Sequence, residues 1–313
     1  MVLLCNYYLT YDCNLKCDFC NVWRQRIERK KLHKISDIES NLDDLKRLGV
    51  RIIDFTGGEP LLYPYVIEAL HAAKQRGFFT TLATNGVLYP RFARQLKGKV
   101  NVLLLSLHSF GAAEKALKAA KRVKQKVFLL FVVTDKNIGS LPDVCSFALQ
   151  NRVPVRLAPC SSYFGNKGLG KKNIKAIYDA LEKPFVHADL SELEVVKAGG
   201  NSVKKPICRA VSNAVTISPD NRLLLPCYHH AKEKIEIKKD LFDIYNSPKV
   251  EQFKKKEGLF DFCDGCTIYC YLRTGFHSNP FSKLFWLRAV FLTQFAVEYL
   301  RNNVSNCVKM LKE

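Results

Sequence analysis

Three cysteines near the start of the chain, Cys13, Cys17 and Cys20, are separated by three and then two residues. Thiolates packed this tightly can each ligate one iron of a [4Fe-4S] cubane. The fourth iron is then left without a protein ligand, a coordination site open to a small molecule. A loop suits the task, because each thiolate must turn toward one centre. The competing readings are a zinc site or buried thiols. Structural zinc takes four ligands, and His33 is the nearby residue that keeps that reading open. A second group lies far downstream: Cys208, Cys227, then Cys263, Cys266 and Cys270. Four of these five can enclose a complete cubane, or alternatively a zinc ion. Cys5, Cys145, Cys160 and Cys307 are isolated and read as buried or bystander thiols.

The elements that must hold these thiols are legible as a pattern. Apolar, β-branched runs at residues 6–11, 51–56, 79–84, 100–107, 127–134 and 153–158 alternate with amphipathic stretches at 36–48, 64–76, 90–96, 112–124 and 140–150. Ser36, with Glu39 three positions on, reads as a capping box opening the first helix. Runs as apolar as VFLLFVV argue for a parallel sheet covered by helices, an α/β fold. Six strands are too few for a closed eight-fold barrel, so a partial (β/α)6 TIM-like barrel is expected over residues 1–185. The first cysteine group then falls on the loop after the first strand. A small second domain is expected over 201–275, where VTISPDNRLLLPC predicts a hairpin about Pro219, Asp220 and Asn221. A strongly apolar helix is expected within 280–313.

Composition narrows the class without choosing the chemistry. The 313 residues are 48% hydrophobic and 11% aromatic, which excludes wholesale disorder. Formal net charge is +20, favouring an anionic partner (nucleic acid, an anionic membrane surface or an acidic substrate) unless it reflects only a basic exterior. The first residues lack the basic stretch and longer apolar run of a signal peptide, so a cytoplasmic location is expected. There, twelve reduced cysteines are better explained as metal ligands than as disulfides. Residues 284–300, LFWLRAVFLTQFAVEYL, are too short and too charged for a confident span. Two readings stand: a core helix closing the barrel, or a peripheral helix on the inner membrane surface.

The segment CNLKCDFC resembles the CxxxCxxC motif of the radical S-adenosylmethionine (SAM) superfamily, including an aromatic, Phe19, before the last cysteine. TGGEP at 56–60, ATNG at 83–86 and LSLHS at 105–109 match that family's motifs at the ends of the second, third and fourth strands. The likeness covers about residues 5–160. It implies that the methionine amino and carboxylate groups of SAM chelate the open iron. Gly57 and Gly58 would admit close backbone approach, Glu59 would accept from the ligand's ammonium, and Phe19 would pack beside the adenine. Asn85, Ser106 and His108 complete the implied cofactor contacts, with Thr134, Asn137 and Arg156 as weaker candidates. Arg156 has an ordinary salt bridge as its rival reading. After LSLHS the loop is shorter than in relatives, which implies a more open substrate-side wall.

The downstream cysteines resemble the SPASM and twitch groups of the same superfamily. There the first two ligands bracket a hairpin and a CxxC pair follows. This implies an auxiliary [4Fe-4S] cluster on Cys208, Cys227, Cys263 and Cys266, with Cys270 the rival for the last place. The activity implied is reductive cleavage of SAM to a 5′-deoxyadenosyl radical that attacks an unactivated C–H bond. The substrate would be a peptide, lipid, tetrapyrrole or other small molecule, and the electron donor a flavodoxin or ferredoxin. An RNA-modifying enzyme of this family is the alternative that the charge suggests. A non-catalytic iron–sulfur electron carrier is the other, against which GGEP and TNG weigh.

Overall fold

The computed structural model describes residues 2–162, 168–238 and 240–272. The apolar helix expected within 280–313 lies outside the described residues. In chain order the elements are β1 (Leu4–Thr10), α1 (Ile35–Arg47), β2 (Ile52–Gly57), α2 (Val66–Gln75), β3 (Phe79–Thr84), α3 (Tyr89–Leu96) and β4 (Val102–Ser106). Next come α4 (Phe110–Arg122), β5 (Val127–Val133), α5 (Leu141–Asn151), β6 (Val155–Pro159), α6 (Ile174–Ala180), β7 (Val186–His187) and α7 (Leu190–Ala198). The last are β8 (Ala214–Ile217), β9 (Arg222–Leu225), β10 (Glu233–Glu236), α8 (Leu241–Tyr245), α9 (Pro248–Lys255) and α10 (Tyr269–Leu272).

The ten strands among the described residues form one sheet, in the order β10-β9-β8-β1-β2-β3-β4-β5-β6-β7. From β1 to β7 every neighbouring pair is parallel, as a partial TIM-like barrel requires. The six expected strands are present, and the two-residue β7 adds a seventh that its shortness hid from the pattern. The expected hairpin forms too, with Ile217 opposite Leu223 and Asn221 in the left-handed region at φ 55°. Its first strand, β8, pairs in parallel with β1. The hairpin therefore extends the barrel sheet without a break.

Strand packing follows from side-chain alternation. In β2, Ile53 and Phe55 are fully buried under the helices, while Asp54 lies on the opposite, less covered face. That inner face is polar across neighbouring strands. Register aligns Thr216, Asn6, Asp54 and Thr81, and Thr81 donates to Asp54 at 2.5 Å. Leu42 and Leu45 of α1 and Leu70 of α2 complete the outer layer at 0% exposure. Each such side chain contributes about 1.5–3 kcal/mol. The start of α1 corrects the sequence reading. Lys34, not Ser36, is the cap residue, and Asp37, not Glu39, closes the turn by accepting from the Lys34 N–H at 2.7 Å. Among the described residues no helix is long and apolar enough to cross a membrane.

Candidate active site

The C-terminal ends of the parallel strands carry every motif picked out from the N-terminal half of the sequence. Cys13, Cys17 and Cys20 follow β1 and are each partly exposed. The loop bearing them is stitched to the GGEP turn after β2: Gly58 N–H donates to the Thr10 carbonyl and Glu59 N–H to the Asp12 carbonyl, both at 2.8 Å. This contact explains the glycines. A Cβ at Gly57 would lie 2.2 Å from the Thr10 oxygen, and one at Gly58 would lie 2.3 Å from that of Asp12. The close approach they permit is between two strand ends of this chain.

Glu59 differs from its expected orientation. Its side chain is 0% exposed and accepts three internal hydrogen bonds: Leu61 N–H at 3.1 Å, Thr84 hydroxyl at 2.7 Å and Asn85 N–H at 2.9 Å. Burial raises its pKa, and those donors oppose the rise. The carboxylate faces inward, and it ties the GGEP turn to the TNG turn after β3. Gly86, at φ 79°, completes that second turn.

Other candidates gather around the thiols. Asn85 Nδ2 donates to the Asn14 side chain at 2.7 Å and lies 4.0 Å from Cys13 Sγ. His108 Nδ1 is 3.7 Å from Cys17 Sγ, and its ring stacks against Phe19 with centroids 5.9 Å apart. Ser106 ends β4 on the partly covered face, two residues before His108. Burial and the neighbouring Cys20 and Cys13 push the Cys17 thiol up to about 11. Three thiols that repel one another's ionisation fit a cationic group that would draw all three into the thiolate form. Among the described residues no three His, Cys, Asp or Glu side chains are placed to hold a single metal ion. A cubane is ligated differently, one thiolate to each of separate irons.

The remaining candidates stand apart from the thiols. Asn137 closes the turn after β5 on itself, its side chain accepting from Thr134 N–H at 2.7 Å and donating to the Val132 carbonyl at 2.8 Å. Arg156 pairs with Glu192 at 2.5 Å, a partner only 6% exposed, so its rival reading as a salt bridge holds, though the pair is partly buried rather than solvated. His33 is 2% exposed, set edge-on between Tyr7 and Tyr63 with ring centroids 5.4 and 5.2 Å away. That seat is remote from a ligand's role.

The second cysteine group converges as well. Cys208, Cys227, Cys263 and Cys266 line one small apolar pocket, together with His230 and Tyr271. Cys270 packs beside the same apolar cluster without lining the cavity. None of the described cysteines is in a disulfide. Burial pushes the Cys227 thiol up to about 12 and the Cys266 thiol to about 11. Sequence reasoning missed the residue that assembles this wall. Asn201, 2% exposed, donates through Nδ2 to the carbonyls of Gly258 at 2.9 Å and Cys263 at 3.0 Å, and its backbone exchanges two 2.8 Å bonds with Gly265 and Cys266. A buried asparagine sixty residues away from its partners carries no spacing signal.

Comparison with known proteins agrees with this geometry. The family model for the Radical SAM superfamily matches residues 7–147. Over that stretch the chain carries the signature of this superfamily. That superfamily uses a [4Fe-4S] cluster and SAM, and the three thiols after β1 suit such a cluster. The chain is 26% identical to the probable GTP 3′,8-cyclase of Sulfurisphaera tokodaii over 79% of this chain and 93% of that one. It is also 26% identical to the PqqA peptide cyclase of Gluconobacter oxydans over 82% and 80%. Among solved structures, Streptococcus suis SuiB bound to precursor peptide SuiA superposes with a TM-score of 0.64 at 20% identity, covering 80% of this chain and 66% of SuiB.

Proposed function

We propose that this enzyme uses a SAM-derived radical to modify an unactivated C–H position of a peptide, with a second [4Fe-4S] cluster on Cys208, Cys227, Cys263 and Cys266. The observation that carries the reading is the joining of the three-cysteine loop to the GGEP turn by the Gly58 and Glu59 N–H groups at the mouth of the barrel. When cluster and SAM are bound, they supply one-electron cleavage to methionine and a 5′-deoxyadenosyl radical, which takes hydrogen from the substrate carbon. Cys13, Cys17 and Cys20 would hold the cluster. The Gly57–Gly58 backbone, Asn85, Ser106, His108 and Phe19 line the cofactor's place beside it. Glu59 acts by positioning, since its carboxylate orders the two turns rather than facing outward.

The peptide is supported by the PqqA cyclase relative and by the peptide-bound SuiB structure. The GTP 3′,8-cyclase relative favours a nucleotide instead. One experiment separates them. Reconstituted protein is incubated anaerobically with SAM and dithionite, and 5′-deoxyadenosine is measured with and without GTP. GTP is expected to leave the yield unchanged and to gain no new bond; stimulation with a cyclised nucleotide would replace the peptide reading. If Cys17→Ala yields as much 5′-deoxyadenosine as the parent protein, the radical assignment itself fails.

A further inference from the structure

The segment leaving the cysteine loop runs along the outside of the β8–β9 hairpin. Gln25 Nε2 donates to the Tyr228 hydroxyl at 2.6 Å, and His33 N–H donates to the Pro219 carbonyl at 2.9 Å. Val22 and Ile27 pack into the apolar cluster around Tyr228. With its apolar side chains turned inward, the segment presents cations outward. Residues 16–34 hold seven basic side chains against two acidic ones, and all seven, from Lys16 to Lys34, are exposed. Glu28 is shared by Lys30 at 3.0 Å and Lys31 at 3.1 Å, and Arg26 reaches Asp12 only at 3.8 Å with 81% of its side chain in solvent. A strongly positive apron results.

At its head stands Trp23. The indole Nε1–H donates to the Cys17 carbonyl at 3.1 Å, so a partly exposed ring is bonded directly to the backbone of the cysteine loop. The Arg24 guanidinium lies 4.9 Å and the Lys16 ammonium 6.0 Å from that ring's centre. Cations ringing an aromatic group joined to a redox-site loop recognise an anionic surface and bring it close to the cluster position.

We propose that this apron, with Trp23 at its head, is the docking surface for an acidic one-electron carrier protein that reduces the N-terminal cluster. The inference rests on the radical reading above, whose chemistry consumes an electron from outside the protein. In the transfer, the carrier's reduced flavin loses one electron and the cluster gains it; no bond forms or breaks. Nucleic acid is the less suited occupant. Single strands are held by aromatic platforms interleaved among the cations; here the partly exposed rings, Phe19 and Trp23, stand only at the head, and residues 24–34, which carry six of the seven cations, add no ring but His33, which is 2% exposed.

The test uses full-length reconstituted protein, a purified acidic flavodoxin as probe, and the triple variant Arg24→Glu, Arg26→Glu, Lys30→Glu. Flavodoxin binding is followed by calorimetry and cluster reduction by stopped-flow absorbance. The variant is expected to bind flavodoxin at least ~10-fold more weakly, and raised salt to weaken the parent's binding in the same direction. Dithionite, which needs no docking surface, is expected to drive 5′-deoxyadenosine formation equally in both proteins. Trp23→Leu is expected to slow reduction at saturating flavodoxin more than it weakens binding. Unchanged affinity in the triple variant overturns the proposal, as does an equal loss of the dithionite reaction. Tight, salt-sensitive binding of single-stranded RNA that the triple variant abolishes, with no flavodoxin binding, overturns it in favour of nucleic acid. If dithionite yields no 5′-deoxyadenosine even from the parent protein, the radical reading fails, whereas the calorimetric arm still decides whether the carrier docks.

Discussion

The two cysteine groups use the same ligand in opposite settings. Cys13, Cys17 and Cys20 sit on a loop at the ends of parallel strands, all three partly exposed, with Asn85 and His108 beside them. Cys208, Cys227, Cys263 and Cys266 line an apolar cavity assembled from segments spread over sixty residues, and two of the four are buried outright. An open trio leaves a coordination site and a path to it, as a reacting centre needs. A closed quartet excludes other ligands, as a store or relay of electrons needs. The same residue type is thus presented in an open setting by one backbone and in a closed setting by the other.

The largest expected effect separates the two directly. Cys17→Ala should reduce 5′-deoxyadenosine formation to background, while Cys227→Ala should keep it within roughly tenfold of the parent and lose substrate modification instead. Iron and sulfide analysis checks the count: the parent should hold roughly eight irons and each variant about four. Equal losses of SAM cleavage in both variants would erase the distinction between the two cysteine groups.

The supports of the open site can be broken without touching a thiol. Gly58→Ala forces a Cβ against the Asp12 carbonyl and should destabilise by about 3 kcal/mol with loss of iron at the N-terminal site, read by denaturant melts and iron content. Glu59→Gln replaces an oxygen that accepts buried N–H and O–H groups, at an expected cost of about 1–3 kcal/mol. Gly111 offers the contrast, since a Cβ there meets nothing within 4 Å. Gly111→Ala at the start of α4 should stabilise by about 0.5 kcal/mol and leave both iron sites intact.

His33 sets a pH limit on the segment joining the two regions. Burial lowers its pKa from 6.5 to about 3. For a base depressed in the folded state, the unfolded chain takes up the proton first. The contribution is therefore fully present above pH 6.5 and fades as pH falls toward 3. From pH 6.5 to 5 the apoprotein should lose about 1.5 kcal/mol through this group. His33→Phe should flatten that part of the stability curve, measured by urea melts at both pH values.

Much of the barrel could be read from the sequence because it is periodic. The six strands and five helices repeat an apolar signal long enough to recognise, and the motifs fall where β1 through β4 end. The two-residue β7, the charged β10 and short helices such as α8 carry no such signal. The first cysteine trio was legible because its ligands are local in sequence. The choice of Cys266 over Cys270 was only a preference from resemblance, and the shared cavity favours it.

Local chemistry, then, was written in the chain order: thiols at short spacing, glycines at strand ends, a left-handed turn at Asn221. Folding alone decided that Glu59 turns inward, that Gly57 and Gly58 lie against the backbone of residues 10–12, and that Asn201 gathers the second set of thiols. The reason is distance. A residue type and a spacing declare what neighbours in sequence can do together, whereas the direction of a side chain is set by atoms that arrive from elsewhere in the chain.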